Sequence, residues 1–189
     1  MIRRSIGRAV LWSTRWRIEG DPPATAKFVL IAAPHTSNWD LLYLLAMSFV
    51  TGVRISWLGK ESLFWGPAGP VLRALGGVPV QRDRRSGLVT SLVAEFAAAD
   101  RLVVVVPPEG TRSRTDHWRT GFYRVACAAE VPIVCSYLDY PRRVGGFGPV
   151  IEPSGDIEAD FPQFEKFYAD KRGKYPDDES TIALRTTDA

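Results

Sequence analysis

Cysteine and histidine are both scarce in this 189-residue chain, at two residues each. Two cysteines exclude a disulfide scaffold and point to a reducing compartment. A metal site would have to be assembled from His35, His117, Cys127 and Cys135. Their spacing matches no zinc pattern, so no metal is expected. No run of about 18 apolar residues exists, so no ordinary membrane-spanning helix is expected. The longest apolar stretch, residues 41–53, is diluted by Ser48, Thr51 and Gly52. The N-terminus is basic but lacks a continuous apolar stretch and a small-residue cleavage site, so it does not read as a secretory signal. A cytoplasmic address is therefore expected, with attachment to the inner face of a membrane left open. The G-x-S-x-G elbow, the G-x-x-x-x-G-K-[ST] loop and the G-x-G-x-x-G fingerprint are all missing, which argues against an ordinary α/β-hydrolase, a P-loop NTPase and a dinucleotide-binding protein. No nucleic-acid recognition module is legible, and no nucleic-acid partner is expected.

Acidic residues are absent from the first 17 positions, which carry Arg3, Arg4, Arg8, Arg15 and Arg17. From Glu152 onward ten acids face five bases. The front of the chain is thus about +5 and the tail about −5, a polarity that suits an anionic partner met by the front and middle. Apolar residues make up 46% and charged residues 24% of the chain. Those proportions suit one globular domain with a sizeable core.

Periodicity predicts a helix over residues 2–17. Ile6, Ala9, Val10, Trp12 and Trp16 share a broad arc with Ile2; Arg4, Arg8 and Arg15 lie opposite, and Leu11 falls on the wrong side. Residues 1–20 read as an amphipathic helix suited to an anionic membrane interface, 24–175 as the main domain and 176–189 as a polar, loose tail. Within the domain, strands are expected at 27–33, 53–58, 77–82, 102–106, 131–138 and 148–151. Helices are expected from residue 38 to about 49, in pieces over 61–75, and at 86–99, 120–130 and 161–172. The alternation predicts an α/β fold: a single-domain sandwich with a mostly parallel central sheet flanked by helices and preceded by the N-terminal helix.

Sites in such sheets lie in loops beyond the strand ends, and three loops there are chemically unusual. In His35-Thr36-Ser37-Asn38-Trp39-Asp40, histidine and aspartate are five positions apart. One continuous helix would turn them about 140° from each other. They can meet only if His35 sits on the turn before a helix and Asp40 on its first turn. The carboxylate would then hold Nδ1–H and leave Nε2 free as a base; alternatively, Asp40 simply favours the helix N-terminus. The second loop, Gly76-Gly77 to Arg82, offers a tight turn and a guanidinium suited to phosphate. Arg84 and Arg85 follow, and a glycine turn with solvated arginines is the plainer reading. In the third, Pro107-Pro108-Glu109-Gly110-Thr111-Arg112-Ser113, Glu109 can bind a substrate hydroxyl, hold Arg82 or Arg112, or form a plain surface pair.

Taken together, these loops resemble the glycerolipid (lysophospholipid) acyltransferase family. The family's H-x4-D motif matches His35 to Asp40, and its glycine pair followed by arginine matches Gly76-Gly77 to Arg82. Its E-G-T-R-S motif matches Glu109 to Ser113, and its V-P-I stretch matches Val131-Pro132-Ile133. Lys60 and Arg119-Thr120-Gly121 also resemble family elements. The likeness implies that His35 and Asp40 are catalytic and that Arg82, Glu109, Gly110, Thr111, Arg112, Lys60 and Arg119 bind substrate. It implies acyl transfer without a cofactor, with acyl-CoA or acyl-carrier protein as co-substrate and a lysophospholipid, 1-acyl-glycerol-3-phosphate first, as acceptor. Ser37 is a competing nucleophile, with direct attack by the acceptor preferred. The Thr36-Ser37-Asn38-Trp39 filling and Trp118 to Tyr123 resemble a bacterial branch whose acceptor is open, so a lyso-aminolipid or glycolipid acceptor and a non-catalytic lipid-binding protein stand as alternatives.

Overall fold

The computed structural model describes residues 1–80 and 87–185. Arg82, Arg84 and Arg85 lie outside the described residues. Seven strands form one sheet in the order β1-β7-β6-β2-β5-β3-β4. These are β1 (Arg17–Glu19), β2 (Lys27–Ala32), β3 (Ser56–Lys60), β4 (Gly77–Val80), β5 (Leu102–Val106), β6 (Ile133–Asp139) and β7 (Val144–Ile151). Strands β2 to β6 are mutually parallel; β7 runs antiparallel to β6, and β1 pairs parallel with β7. The expected α/β sandwich with a mostly parallel sheet is the fold found.

Strand β2 shows why its sequence is unbrokenly apolar from Phe28 onward. Side chains alternate across a strand, and both faces of this one are covered. Val29 and Ile31 point into a core shared with Leu92, Phe96, Phe122, Phe164 and Tyr168. That core lies under α4 (Leu88–Ala98), α5 (Gly121–Ala128) and α6 (Ile157–Tyr168). Phe28 and Leu30 point the other way, toward Leu41, Leu44 and Leu45 of α2 (Trp39–Thr51), Phe64 of a 3₁₀ turn, and Leu72 of α3 (Ala68–Ala74). A continuous apolar run of this kind is the mark of a buried parallel strand.

The N-terminal helix departs from its expected form. α1 (Ile2–Thr14) stops three residues early. Arg15 turns into the left-handed region at φ 60°, and the Trp16 N–H donates back to the Leu11 carbonyl at 2.8 Å. This closing geometry satisfies the last carbonyls of the helix. It also swings Trp16 inward, away from the arc on which periodicity placed it, and frees Arg17–Glu19 to pair as the edge strand β1. Leu11, on the wrong side of the arc, is the residue that docks: it is 6% exposed and packs with Ala46 and Met47 of α2. Gly7 makes the contact close, since a Cβ there would sit 2.5 Å from the Ala46 carbonyl oxygen. The opposite face keeps Ile2, Ile6 and Trp12 in solvent, Trp12 at 84% exposure.

Other differences have local causes. β3 begins at Ser56 rather than 53, because residues 52–55 form the exit from α2, where the Ser48 hydroxyl donates to the Val53 carbonyl. α6 begins at Ile157, ahead of Pro162, because the Asp156 carboxylate caps it by accepting from the Glu158 and Ala159 amides. Residues 176–185, expected to be part of a loose tail, are held against the domain. Ile182 and Leu184 pack on the core, Trp118 N–H donates to the Ala183 carbonyl, and Thr181 N–H donates to the Thr115 carbonyl.

The two faces of α1 should respond differently to substitution. Gly7→Val forces the helices apart and should cost about 1–3 kcal/mol, measured as a lower midpoint in urea. Trp12→Ser, on the free face, should leave that midpoint within about 0.5 kcal/mol of the original.

Candidate active site

The topology assembles the site. β2 lies between β6 and β5, and all three run the same way, so the chain leaves them at one edge of the sheet. His35 follows β2, Glu109 follows β5 and Tyr140 follows β6. Lys60 ends β3 and pairs in register with Val80, the last residue of β4.

Asp40 stands in the first turn of α2 and is 6% exposed. Its Oδ2 accepts from the Thr36 amide at 3.1 Å and the Ser37 amide at 3.0 Å, and lies 3.0 Å from His35 Nδ1. An ionised carboxylate only accepts, so a bond between the two places the proton on Nδ1, and in the neutral imidazole that tautomer leaves Nε2 as the base. This is the placement the five-residue spacing requires, with His35 on the turn and Asp40 on the helix. Ser37 is buried and its Oγ accepts from the Trp39 amide at 3.2 Å.

Glu109 behaves differently from any surface residue. It is 3% exposed, and its Oε1 accepts from the His35 backbone amide at 3.1 Å. Oε2 is buried with no hydrogen-bond partner among the described residues. Burial pushes the carboxyl up to about 7, against the lowering pull of the Glu109 and His35 amides. The surface Glu–Arg pair expected as one reading is therefore not what forms. Arg112 instead donates to the Asn38 side-chain oxygen. Gly110 holds φ +67°, and a Cβ there would meet the Arg119 side chain at 2.7 Å, so the glycine lets Arg119 cross the loop. The Arg119 amide donates to the Pro108 carbonyl, and Thr111 Oγ1 accepts from the Ser113 amide.

A cavity of about 460 Å³ opens beside His35, between α2 and the sheet. Leu41, Leu44, Met47, Ile55, Trp57 and Phe147 line its body, while His35, Asn38, Lys60 and Arg112 lie on its polar side. Such a cavity accepts a long apolar group and places its polar end beside the imidazole. Of the residues expected to bind substrate, Lys60 and Arg112 line it. Glu109, Gly110, Thr111 and Arg119 are not among its lining residues, and Arg82 lies outside the described residues.

Three contacts here have no local sequence signal. Tyr140 Oη donates to Asp40 Oδ1 at 2.5 Å. The Tyr175 amide donates to Thr36 Oγ1 at 3.2 Å, and the Lys174 ammonium lies 4.9 Å from the centre of the Trp39 ring. Each joins residues about 100 positions or more apart, and no short motif encodes that.

Comparison with known proteins adds two findings. Residues 15–138 match the Acyltransferase family model. The fold resembles the crystal structure of the 1-acyl-sn-glycerophosphate (LPA) acyltransferase PlsC from Thermotoga maritima, with a TM-score of 0.61 and 17% sequence identity over 91% of this chain and 80% of that one. No curated protein sequence matches the chain.

Glu109 generates a pH prediction. Between pH 4.5 and about 7 the folded chain keeps a proton that the unfolded chain has released. Stability from this group therefore falls as pH rises through that window, by up to about 3 kcal/mol. In Glu109→Gln that loss should vanish, so the stability of the variant relative to the native chain should climb across the window. Urea titrations at several pH values measure it.

Proposed function

The chain belongs to the acyltransferase family, and from that premise we propose that it moves a fatty acyl group from an acyl thioester to the hydroxyl of a lysophospholipid, with 1-acyl-glycerol-3-phosphate as the leading acceptor. The observation that carries this reading is the His35–Asp40 pair at the polar side of a long apolar cavity. The acyl chain of the donor occupies the cavity, which brings the thioester carbonyl to the imidazole. Acyl-CoA and acyl-carrier protein are the donor classes, and no further cofactor enters.

The transfer is direct. His35 Nε2 takes the proton of the acceptor hydroxyl as its oxygen bonds to the thioester carbon. The tetrahedral intermediate then collapses, the C–S bond breaks, and the leaving thiolate recovers the proton from the imidazolium. Asp40 holds the Nδ1–H tautomer and stabilises the imidazolium while it exists. Ser37, whose Oγ is engaged with the Trp39 amide, is not required as a nucleophile. Lys60 and Arg112 meet an anionic head at the cavity edge, and the resemblance to the family's phosphate-binding arginine gives Arg82 a part in binding the same head.

The protein acts at the inner face of a membrane, where a lysophospholipid acceptor resides. The solvent face of α1 carries Ile2, Ile6 and Trp12, and the exposed Arg4 and Arg8 lie on the same helix. A helix of this kind lies in the interface of an anionic bilayer.

Two measurements test the proposal. The first supplies one labelled acyl donor with a phosphate-bearing lysolipid or with its dephosphorylated analogue. The phosphate-bearing acceptor should be preferred, and Arg112→Ala should raise its KM about ten- to a hundredfold, since charge-assisted contacts contribute roughly 1.5–3 kcal/mol. Equal use of both acceptors, unaffected by the substitution, would move a lyso-aminolipid or glycolipid ahead. Absence of transfer to any acceptor would leave a lipid-binding protein. The second replaces Ile2, Ile6 and Trp12 with serine, which should weaken binding to anionic vesicles at least ~tenfold without lowering stability. Unchanged binding would count against α1 as the contact.

A further inference from the structure

The Asp40 carboxylate meets its own loop through Oδ2 alone; Oδ1 accepts a single described bond, from the Tyr140 hydroxyl at 2.5 Å. Tyr140 is the first residue after β6, and little freedom is left to it. Its amide donates to the Arg172 carbonyl at 3.0 Å, and its carbonyl accepts from the Arg143 amide at 3.2 Å. Its ring meets Trp16 edge-on, with centroids 5.0 Å apart at 86°, and Tyr43 edge-on, at 5.9 Å and 84°. Trp16 and Tyr43 stack on each other at 4.3 Å. The three rings form a clamp that joins the end of α1, the first turns of α2 and the end of β6.

We propose that Tyr140 is a positioning residue for the proton transfer at His35. Its hydroxyl fixes the rotation of the Asp40 carboxyl so that Oδ2 faces Nδ1, and it draws negative charge from the carboxylate. Both effects act through Asp40, since the hydroxyl bonds Oδ1 on the side of the carboxylate away from the loop. Burial first, and the Asp40 carboxylate second, hold the Tyr140 phenol far above its usual range. It therefore stays a donor throughout the working pH range. The titratable groups facing this cluster are His35 and Asp40 themselves, Tyr43 against the ring, Tyr175 within electrostatic reach of the phenol, and Glu109 on the far side of the His35 amide. Removing the hydroxyl concentrates charge on Asp40, which raises its own affinity for protons and that of the adjacent imidazole. Either change moves the loss of base function in the same direction, to higher pH.

Tyr140→Phe is the test, because it deletes one oxygen and keeps the ring in its clamp. The kinetic arm rests on the acyl-transfer reading. There kcat should fall roughly tenfold, the KM of donor and acceptor should stay within about twofold, and the acidic limb of the pH–rate profile should move to higher pH. A merely structural tyrosine would change stability or KM and leave the limb in place. The second arm needs no turnover: nuclear magnetic resonance titration of the His35 imidazole in the substrate-free protein. Protonation at higher pH in Tyr140→Phe than in the native chain supports the inference, even if no acceptor is ever acylated. An unchanged imidazole titration, or an unchanged kcat and pH limb in an active enzyme, overturns it. An inactive native chain whose His35 titration still moves would instead count against the acyl-transfer reading alone.

Discussion

A buried carboxylate is costly unless donors meet it, and Asp40 is the point around which this site is arranged. Leaving such a charge unpaired in the interior costs several kcal/mol. The chain avoids that by bending residues 35–37 over it, so that two amides and an imidazole converge on Oδ2, and by bringing a tyrosine from the end of β6 to Oδ1. The helix that carries Asp40 supplies a favourable N-terminal field. A loop held in this way is rigid, and rigidity at an imidazole is what a general base requires.

The sheet makes that convergence possible. Because β2 is central and its neighbours β5 and β6 run parallel to it, three loops far apart in sequence leave the sheet at one place. α2 then serves several ends at once. Its first turn holds Asp40, its apolar side closes the cavity over the sheet, and its outer side receives Leu11 of α1. The α1 helix is thus fixed to the element that carries the charged pair, while its remaining apolar residues stay exposed. The ring of Trp16, at the close of α1, touches Tyr140 directly and continues this connection into the site.

Much of this was legible in the sequence because its signals are local. Strand β2 announces itself by an unbroken apolar run, and the His35–Asp40 spacing admits only a turn followed by a helix. The alternation of elements gives the sandwich, and the E-G-T-R-S stretch marks the loop after β5. What escaped depends on distant partners. Leu11 looked misplaced because the docking face of α1 is set by α2 and by the missing side chain of Gly7, not by the helix's own hydrophobic arc. β1 is three residues long and exists only because β7 lies beside it. For Glu109 the sequence leaves a substrate hydroxyl, a held arginine and a plain surface pair open, and burial with the His35 amide on Oε1 decides against the surface pair. Tyr140 left no trace at all, since nothing near it in sequence points to Asp40. Arg82, to which the family resemblance gives the acceptor's phosphate, lies outside the described residues.

The central claim is that the His35 imidazole, held by Asp40, is the base that takes the acceptor hydroxyl's proton during acyl transfer. It is tested most directly by turnover of the purified His35→Ala protein with a labelled acyl thioester and a lysophospholipid, alongside a thermal melt of the same sample. The account predicts a loss of at least ~10²-fold in kcat, the range typical of a lost general base, with a melt showing a folded protein. A folded His35→Ala protein that turns over near the native rate would contradict it.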